Sequence, residues 1–285
     1  MRVGVLDVGS NTIRLLVADV HGDGLTRVDG GRVRLSLGEE IERQGALSAG
    51  SIRAAADAVR ELTAVAARLG VDDVDVFLTA PGRQAANAEG LLTALRRAAH
   101  HGVRVLSTEE EGRLAYRGAV AVSDLELPAL VAVCDVGGAS TEIAVGPPAT
   151  GPDWIRSVDI GSVRLTTRAG SLGVARREAA AAFAGIEPPR VDTALAVGGS
   201  ARAARRLVGA RLGPAELGEA LHLVETLDPS DLTRRFGVDR ARARVLPGGI
   251  AILAQLQELL GVPLHVSDGG IREGAALLSQ AALAA

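Results

Sequence analysis

"VLDVGSNT" at residues 5–12 and "VCDVGGASTE" at 133–142 share one construction: an apolar run reaches an Asp, then breaks into glycine and small hydroxyl residues. A strand end followed by glycine lets backbone N–H groups converge on an anion, because no Cβ blocks the approach. Ser10, Asn11 and Thr12 add side-chain donors to the first loop, and Ser140 and Thr141 do so beside Gly137, Gly138 and Ala139 in the second. Asp7 and Asp135 stand at strand ends, where a carboxylate can hold Mg²⁺ through water beside a bound phosphate. One such loop alone reads more readily as turn chemistry, which uses the same residue types. Two matching copies favour phosphate binding and predict two related halves whose loops face each other across a cleft. A third stretch, "ALAVGGSARAARRL" at 194–207, passes from strand through Gly198, Gly199 and Ser200 into a helix whose N-terminus suits an anion or nucleotide.

Working outward, further strand-sized apolar runs fall at 76–80, 103–107, 130–136, 193–197 and 264–267. Longer stretches with helical spacing separate them, such as "SIRAAADAVRELTAVAARLG" at 51–70 and "AEGLLTALRRAAHHG" at 88–102. Strands alternating with helices predict an α/β protein. The segment after the first loop, "IRLLVADVHG" followed by "LTRVDGGRVRLSLG", reads as hairpin-connected strands, so the sheet is expected to be mixed. The expected boundary is the Pro-containing turn "AVSDLELPA" at 121–129. It separates a first domain at 1–125 from a second at 126–271.

The 285-residue chain is 47% hydrophobic and 23% charged, enough apolar material for real cores and far from a disordered composition. Aromatics are 2%, which argues against single-strand nucleic-acid binding through base stacking. The net charge of −3 supplies no global field for nucleic acid or membrane. All basic side chains other than His are Arg, which rules out Schiff-base chemistry and a P-loop lysine. A single cysteine, Cys134, cannot form an internal disulfide, consistent with a cytoplasmic protein. Asp7, Asn11 and Arg14 interrupt the apolar N-terminus, so neither a signal peptide nor a membrane span is expected.

"STEEEGRLAYRGAV" at 107–120 admits two readings. Thr108 followed by Glu111 is a capping box at a helix start, with acidic residues complementing the helix dipole. Alternatively one carboxylate orients and deprotonates a water attacking a phosphoryl group, its neighbours' negative charge raising its pKa towards a general base's range. One side chain cannot serve both roles fully. Arg83 in "LTAPGRQAAN" follows a strand and precedes a helix, a position from which it can reach a phosphate. Arg113, Arg117 and Arg164 are further candidates with a surface role as the alternative. The five His residues lack metal-ligand spacing, and no nucleophile elbow surrounds Ser200.

In this order, "DVGSNTIRLLV", "TAPGRQAAN", "STEEEGRLAYRG", "VCDVGGASTEIAVG", "IGSVRLT", "AVGGSAR", "RARVLPGGIAIL" and "VSDGGIREG" resemble the exopolyphosphatase/guanosine pentaphosphate phosphohydrolase family over nearly the whole chain. The resemblance implies two ribonuclease-H-like domains of the actin/Hsp70/sugar-kinase superfamily, an interdomain cleft, and a C-terminal helix at about 272–285 packed on the first domain. It implies Glu111 as catalytic base, Arg83 as a phosphate-contacting arginine, and Asp135 and Glu142 as acidic positions associated with Mg²⁺. The implied substrate is inorganic polyphosphate, or guanosine pentaphosphate by the same chemistry. A homodimer is compatible with the family, although no sequence feature requires one.

This chain departs from the family pattern at Ala139, where glycine is usual, and at Ala80-Pro81-Gly82 before the arginine. These departures motivate a rival reading as a catalytically weak polyphosphate- or alarmone-binding regulator. An actin-like ATPase or sugar kinase is a third reading, disfavoured by Glu111. Residues 166–190 look shortened, and the missing C-terminal helical extensions of longer relatives predict shorter polyphosphate substrates.

Overall fold

A computed structural model of the chain describes residues 1–22, 24–71 and 73–284. Two compact units divide it: Met1–Leu114 together with the chain from Ile271 onward, and Ala115–Gly270. The first unit opens with an antiparallel meander, β1 (Arg2–Val8), β2 (Thr12–His21) and β3 (Gly24–Arg34). Helices α1 (Leu37–Gln44) and α2 (Ala49–Arg68) lead to β4 (Val74–Leu78), which lies parallel to β1 on its free side. After α3 (Ala80–Gln84) and α4 (Ala88–Ala99), β5 (Val103–Val105) adds in parallel, and α5 (Thr108–Ala121) follows. The sheet order is β3-β2-β1-β4-β5.

Strand periodicity sorts this unit's core into two layers. Leu6 and Val8 of β1, Ile13, Leu15 and Val17 of β2, and Val76 and Leu78 of β4 pack with α2 and α4 side chains such as Val59, Leu62, Leu91 and Leu95. The alternate residues Val3, Val5, Leu16, Ala18, Val20 and Phe77 pack with Leu106 and Leu114 on the opposite face. Ala275 and Ala276 of the final helix, α12 (Ile271–Ala284), join that second cluster. A side chain's face alternates with sequence number along a strand, so Asp7 projects to the face carrying α5. Parallel β1, β4 and β5 all end at one sheet edge, which gathers residues 9–12, 79–83 and 106–111 there. Thr79 N–H donates to Val8 O at 3.3 Å and Leu106 N–H to Leu78 O at 2.9 Å along this edge.

The second unit contains β6 (Val131–Val136), β7 (Thr141–Gly146), β8 (Trp154–Val158), α6 (Ser162–Ala169) and α7 (Leu172–Phe183). It continues with β9 (Thr193–Val197), α8 (Gly198–Val208), β10 (Arg211–Leu212), α9 (Pro214–Thr226), α10 (Pro229–Phe236), α11 (Arg240–Leu260) and β11 (Leu264–Val266). Read from β8, the order β8-β7-β6-β9-β11 repeats the first unit's, with the same two antiparallel and two parallel pairings. Each unit is thus a mixed-sheet α/β structure of ribonuclease-H-like strand order, the fold class expected. β10 is an antiparallel two-residue addition at one edge. No helix among the described residues is long and apolar enough to cross a membrane.

Candidate active site

The three glutamates at the start of α5 have three different partners. Ser107 N–H donates to Glu110 Oε2 at 2.7 Å and Glu110 N–H to Ser107 Oγ at 3.1 Å. The capping box is therefore Ser107/Glu110, one residue earlier than the expected Thr108/Glu111. Glu109 pairs with Arg113 at 2.8 Å on the exposed helix surface. Glu111, relieved of the cap, is 4% exposed and accepts a short hydrogen bond from Arg83 Nη1. The charge held against it is a guanidinium, where the sequence suggested its own acidic neighbours.

Local chemistry delivers Arg83. Pro81 lies in the first turn of α3, where its missing N–H costs nothing. A Cβ on Gly82 would come within 2.9 Å of Val105 and 3.0 Å of Leu78, so glycine allows α3 to sit against the sheet. Arg83 Nη1 then donates to Leu106 O at 2.6 Å as well as to Glu111. Its Nη2 is buried and has no hydrogen-bond partner among the described residues. A buried guanidinium nitrogen without an acceptor is uncommon in folded proteins and asks for one.

In the first loop, Ser10 is 7% and Thr12 9% exposed, Asn11 is half-buried, and Gly9 N–H donates to Thr12 O at 3.3 Å. A Cβ on Gly9 would lie 3.7 Å from Asp7 Oδ1 and 3.8 Å from Thr79 Oγ1, so these two groups flank the loop. Asp7 stands opposite Arg14 in the β1–β2 ladder.

In the second loop, Gly137 N–H donates to Ser140 O at 3.0 Å, and Thr141 Oγ1 donates to Ile160 O at 2.7 Å. Asp135 stands opposite Glu142 in the β6–β7 ladder. Both are buried, at 8% and 2% exposure, and Ser157 Oγ donates to Glu142 Oε1 at 2.8 Å. Two carboxylates directly across an antiparallel pair repel unless a donor or cation joins them. Among the described residues no group of three or more His, Cys, Asp or Glu is placed to hold a metal. Mg²⁺ is commonly held by one or two carboxylates with water and substrate phosphate completing its shell, so the Asp135/Glu142 pair fits it. The third glycine stretch is packed against Asp135. Gly198 has φ +90°, and a Cβ there would sit 2.7 Å from Asp135 Oδ1.

Ser200 is fully buried, and its hydroxyl faces α11, where a Cβ on Gly249 would come within 2.6 Å. Arg164 is 7% exposed and bonded to Asp159 through both the backbone carbonyl, at 3.0 Å, and the side chain, a structural tie and not a surface arginine. Arg113 is occupied by Glu109 and Arg117 is exposed. Burial pushes the Cys134 thiol up to about 12, which leaves it inert. Sequence reasoning gave Arg242 no role. Its guanidinium lies over Gly199, 2.4–3.0 Å from where a Cβ would be, and Nη1 donates to Ser162 Oγ at 3.3 Å. Its signal was its place in the quoted "RARVLPGG" stretch, but only tertiary packing brings that helix start to the glycine turn.

The Ppx/GppA phosphatase family matches residues 16–234. A guanosine-5'-triphosphate,3'-diphosphate pyrophosphatase of Aeromonas hydrophila is 27% identical over 94% of this chain and 57% of its own length. Exopolyphosphatase 1 of Mycobacterium tuberculosis is 30% identical over 58% of this chain and 48% of that protein. The chain thus spans about half the length of these two curated relatives. Among solved structures, the Ppx-GppA enzyme of Aquifex aeolicus superposes with a TM-score of 0.81 at 26% identity, covering 98% of this chain and 99% of that one. The repeated α/β unit, the loop-bearing sheet edges and these matches lead to one statement: the chain belongs to the Ppx/GppA phosphatase family.

Proposed function

We propose that the chain hydrolyses the terminal phosphoanhydride bond of inorganic polyphosphate and releases orthophosphate. The observation that carries this reading is the pair at the start of α5: a buried carboxylate outside the capping box, beside a guanidinium with one buried nitrogen that has no partner among the described residues. In this reading Arg83 Nη2 donates to an oxygen of the terminal phosphoryl group, and Glu111 orients the attacking water and accepts its proton. The water oxygen forms the new bond to phosphorus while the bond to the bridging oxygen breaks, and the shortened chain leaves with that electron pair. In the first unit, donors of residues 10–12 would hold phosphate oxygens, and in the second unit those of residues 138–140 would do the same. Mg²⁺ at Asp135 and Glu142 would neutralise charge on those oxygens.

The exopolyphosphatase name of the mycobacterial relative supports polyphosphate as substrate. The name of the Aeromonas relative supports a second reading, removal of the terminal 5′ phosphate of guanosine pentaphosphate. Phosphate release from polyphosphates of defined length, guanosine pentaphosphate and ATP tests both. Glu111→Gln is expected to retain ligand binding and lose ~10²–10⁴ in rate, the usual share of a general base. Glu109→Gln and Glu110→Gln should stay close to the unaltered protein. Equal losses in all three would overturn the base assignment. Turnover of pentaphosphate alone would put the second reading first. Binding without release under any divalent metal would make the chain a polyphosphate- or alarmone-binding regulator.

A further inference from the structure

Each proposed phosphate loop is backed by the first turn of a helix. In the first unit Gly38 N–H, at the start of α1, donates to Ser10 O at 2.6 Å, while Leu35 and Ser36 N–H reach Asn11 O at 3.3 and 3.4 Å. In the second, Val163 and Arg164 N–H of α6 donate to Gly138 O at 2.9 and 3.1 Å, and Ser162 N–H to Gly137 O at 2.9 Å. The loops correspond residue by residue. Gly9 N–H to Thr12 O is matched by Gly137 N–H to Ser140 O, which aligns Ser10 with Gly138 and Asn11 with Ala139.

A glycine makes each approach possible. A Cβ on Gly38 would lie 2.7 Å from Ser10 Cβ, and one on Gly161 would lie 2.4–2.5 Å from the Gly138–Ala139 peptide. Glycine inside a helix start is otherwise unfavourable, so its presence at Gly38 reflects this contact. Ser36 beside it has φ 52°, a conformation that non-glycine residues rarely adopt.

The C=O and N–H of a trans peptide point in opposite directions, and the described residues contain no cis bond. With Ser10 O held by α1, the Asn11 N–H must face away from that helix. With Gly138 O held by α6, the Ala139 N–H must do the same. Neither amide donates to another group among the described residues. We propose that α1 and α6 are paired positioning helices, touching the loops at Gly38 and Gly161, which keep the 10–11 and 138–139 peptides turned with N–H towards phosphate oxygens. A flipped peptide would present a carbonyl oxygen to the anion instead. The ligand's identity in this inference rests on the phosphohydrolase reading, whereas Gly38, Ser36 and Gly161 touch no substrate in it.

The test is an amide NMR titration of the full chain with inorganic tripolyphosphate without added metal, alongside phosphate-release kinetics. The Asn11 and Ala139 amides are expected to move downfield at saturation. Gly38→Ala should weaken tripolyphosphate binding about tenfold, as for a lost hydrogen bond to a charged group. It should abolish the Asn11 shift and keep that of Ala139. The added methyl strikes Ser10 Cβ, so Gly38→Ala/Ser10→Gly should bind no worse than Ser10→Gly alone; this pair keeps the test valid even where Gly38→Ala folds poorly. Amides that stay in place, or losses that simply add in the double variant, would overturn the inference. Shifted amides with no phosphate release from any substrate would sink the functional reading and leave the positioning intact.

Discussion

Across the hairpin from the strand-end aspartate stands Arg14 in the first unit and Glu142 in the second. The backbone around these positions is the same: a meander, a tight loop closed by one N–H to C=O bond, and a helix turn behind it. Opposite charges facing each other across a hairpin attract, whereas like charges repel unless a cation or donors lie between them. The strand that pairs in parallel with each hairpin repeats the contrast. β4 ends in the turn that carries Arg83 to Glu111, and β9 ends in Gly198, whose bare backbone lies against Asp135. Strand order and glycine placement thus fix a repeated scaffold, while the side chains at equivalent positions divide the work. In the proposed reading, the first unit carries the proton-handling pair, Glu111 and Arg83, and the second the pair that would hold a metal, Asp135 and Glu142.

If that division holds, damage in the first unit should appear in the rate of the chemical step. Arg83→Lys keeps the charge but loses the planar fork that reaches Leu106 O and Glu111 while leaving Nη2 for a ligand. Phosphate release by this variant is expected to fall ~10²–10³, the range for removing one donor to the transition state. Its Mg²⁺ requirement should stay as it was. A lysine variant with nearly full turnover would show that the fork does not serve the reaction.

Damage in the second unit should appear in metal demand. Asp135→Asn and Glu142→Gln are each expected to raise the Mg²⁺ concentration needed for half-maximal phosphate release by ~10-fold or more, the scale for disturbing a metal site. Asp7→Asn should shift it less, because Asp7 already faces a guanidinium-bearing residue across its hairpin. Equal shifts at all three positions would erase the contrast between the hairpins.

Much of the scaffold was readable in the sequence because its signals are local. The apolar run leading into the first loop and those at 130–136 and 193–197 became β1, β6 and β9, and the hairpin after the first loop became β2 and β3. The mixed sheet followed from these. β10 was invisible, since two residues carry no periodicity. The helix start at α5 was placed one residue late because Ser107-x-x-Glu110 and Thr108-x-x-Glu111 are the same pattern shifted by one. Only the fold decides which carboxylate turns back to the cap. Gly38 and Arg242 were missed for a related reason: each acts on a residue distant in sequence, Ser10 and Gly199 respectively.

The smallest expected effect concerns the cap itself. Hydrogen bonding from the Ser107 backbone, then from its hydroxyl, with the Arg104 charge adding to it, holds the Glu110 carboxyl below its ordinary 4.5 against the opposing effect of burial. A carboxyl whose pKa falls on folding stabilises the protein fully above its unfolded value. That contribution disappears as pH drops through the lower folded value. In the second unit Arg205 depresses Asp268 in the same sense from 3.8, after the equivalent strand, so the unaltered chain should lose stability over an acidic window from both units. Glu110→Gln is expected to cost about 0.5–1 kcal/mol in urea unfolding at pH 7, the scale of one cap bond, and progressively less below pH ~4. Asp268→Asn should leave that trend in place, because its partner lies in the other unit. A stability gap for Glu110→Gln that stays constant between neutral and acidic pH would mean the charge of Glu110 contributes nothing to the cap.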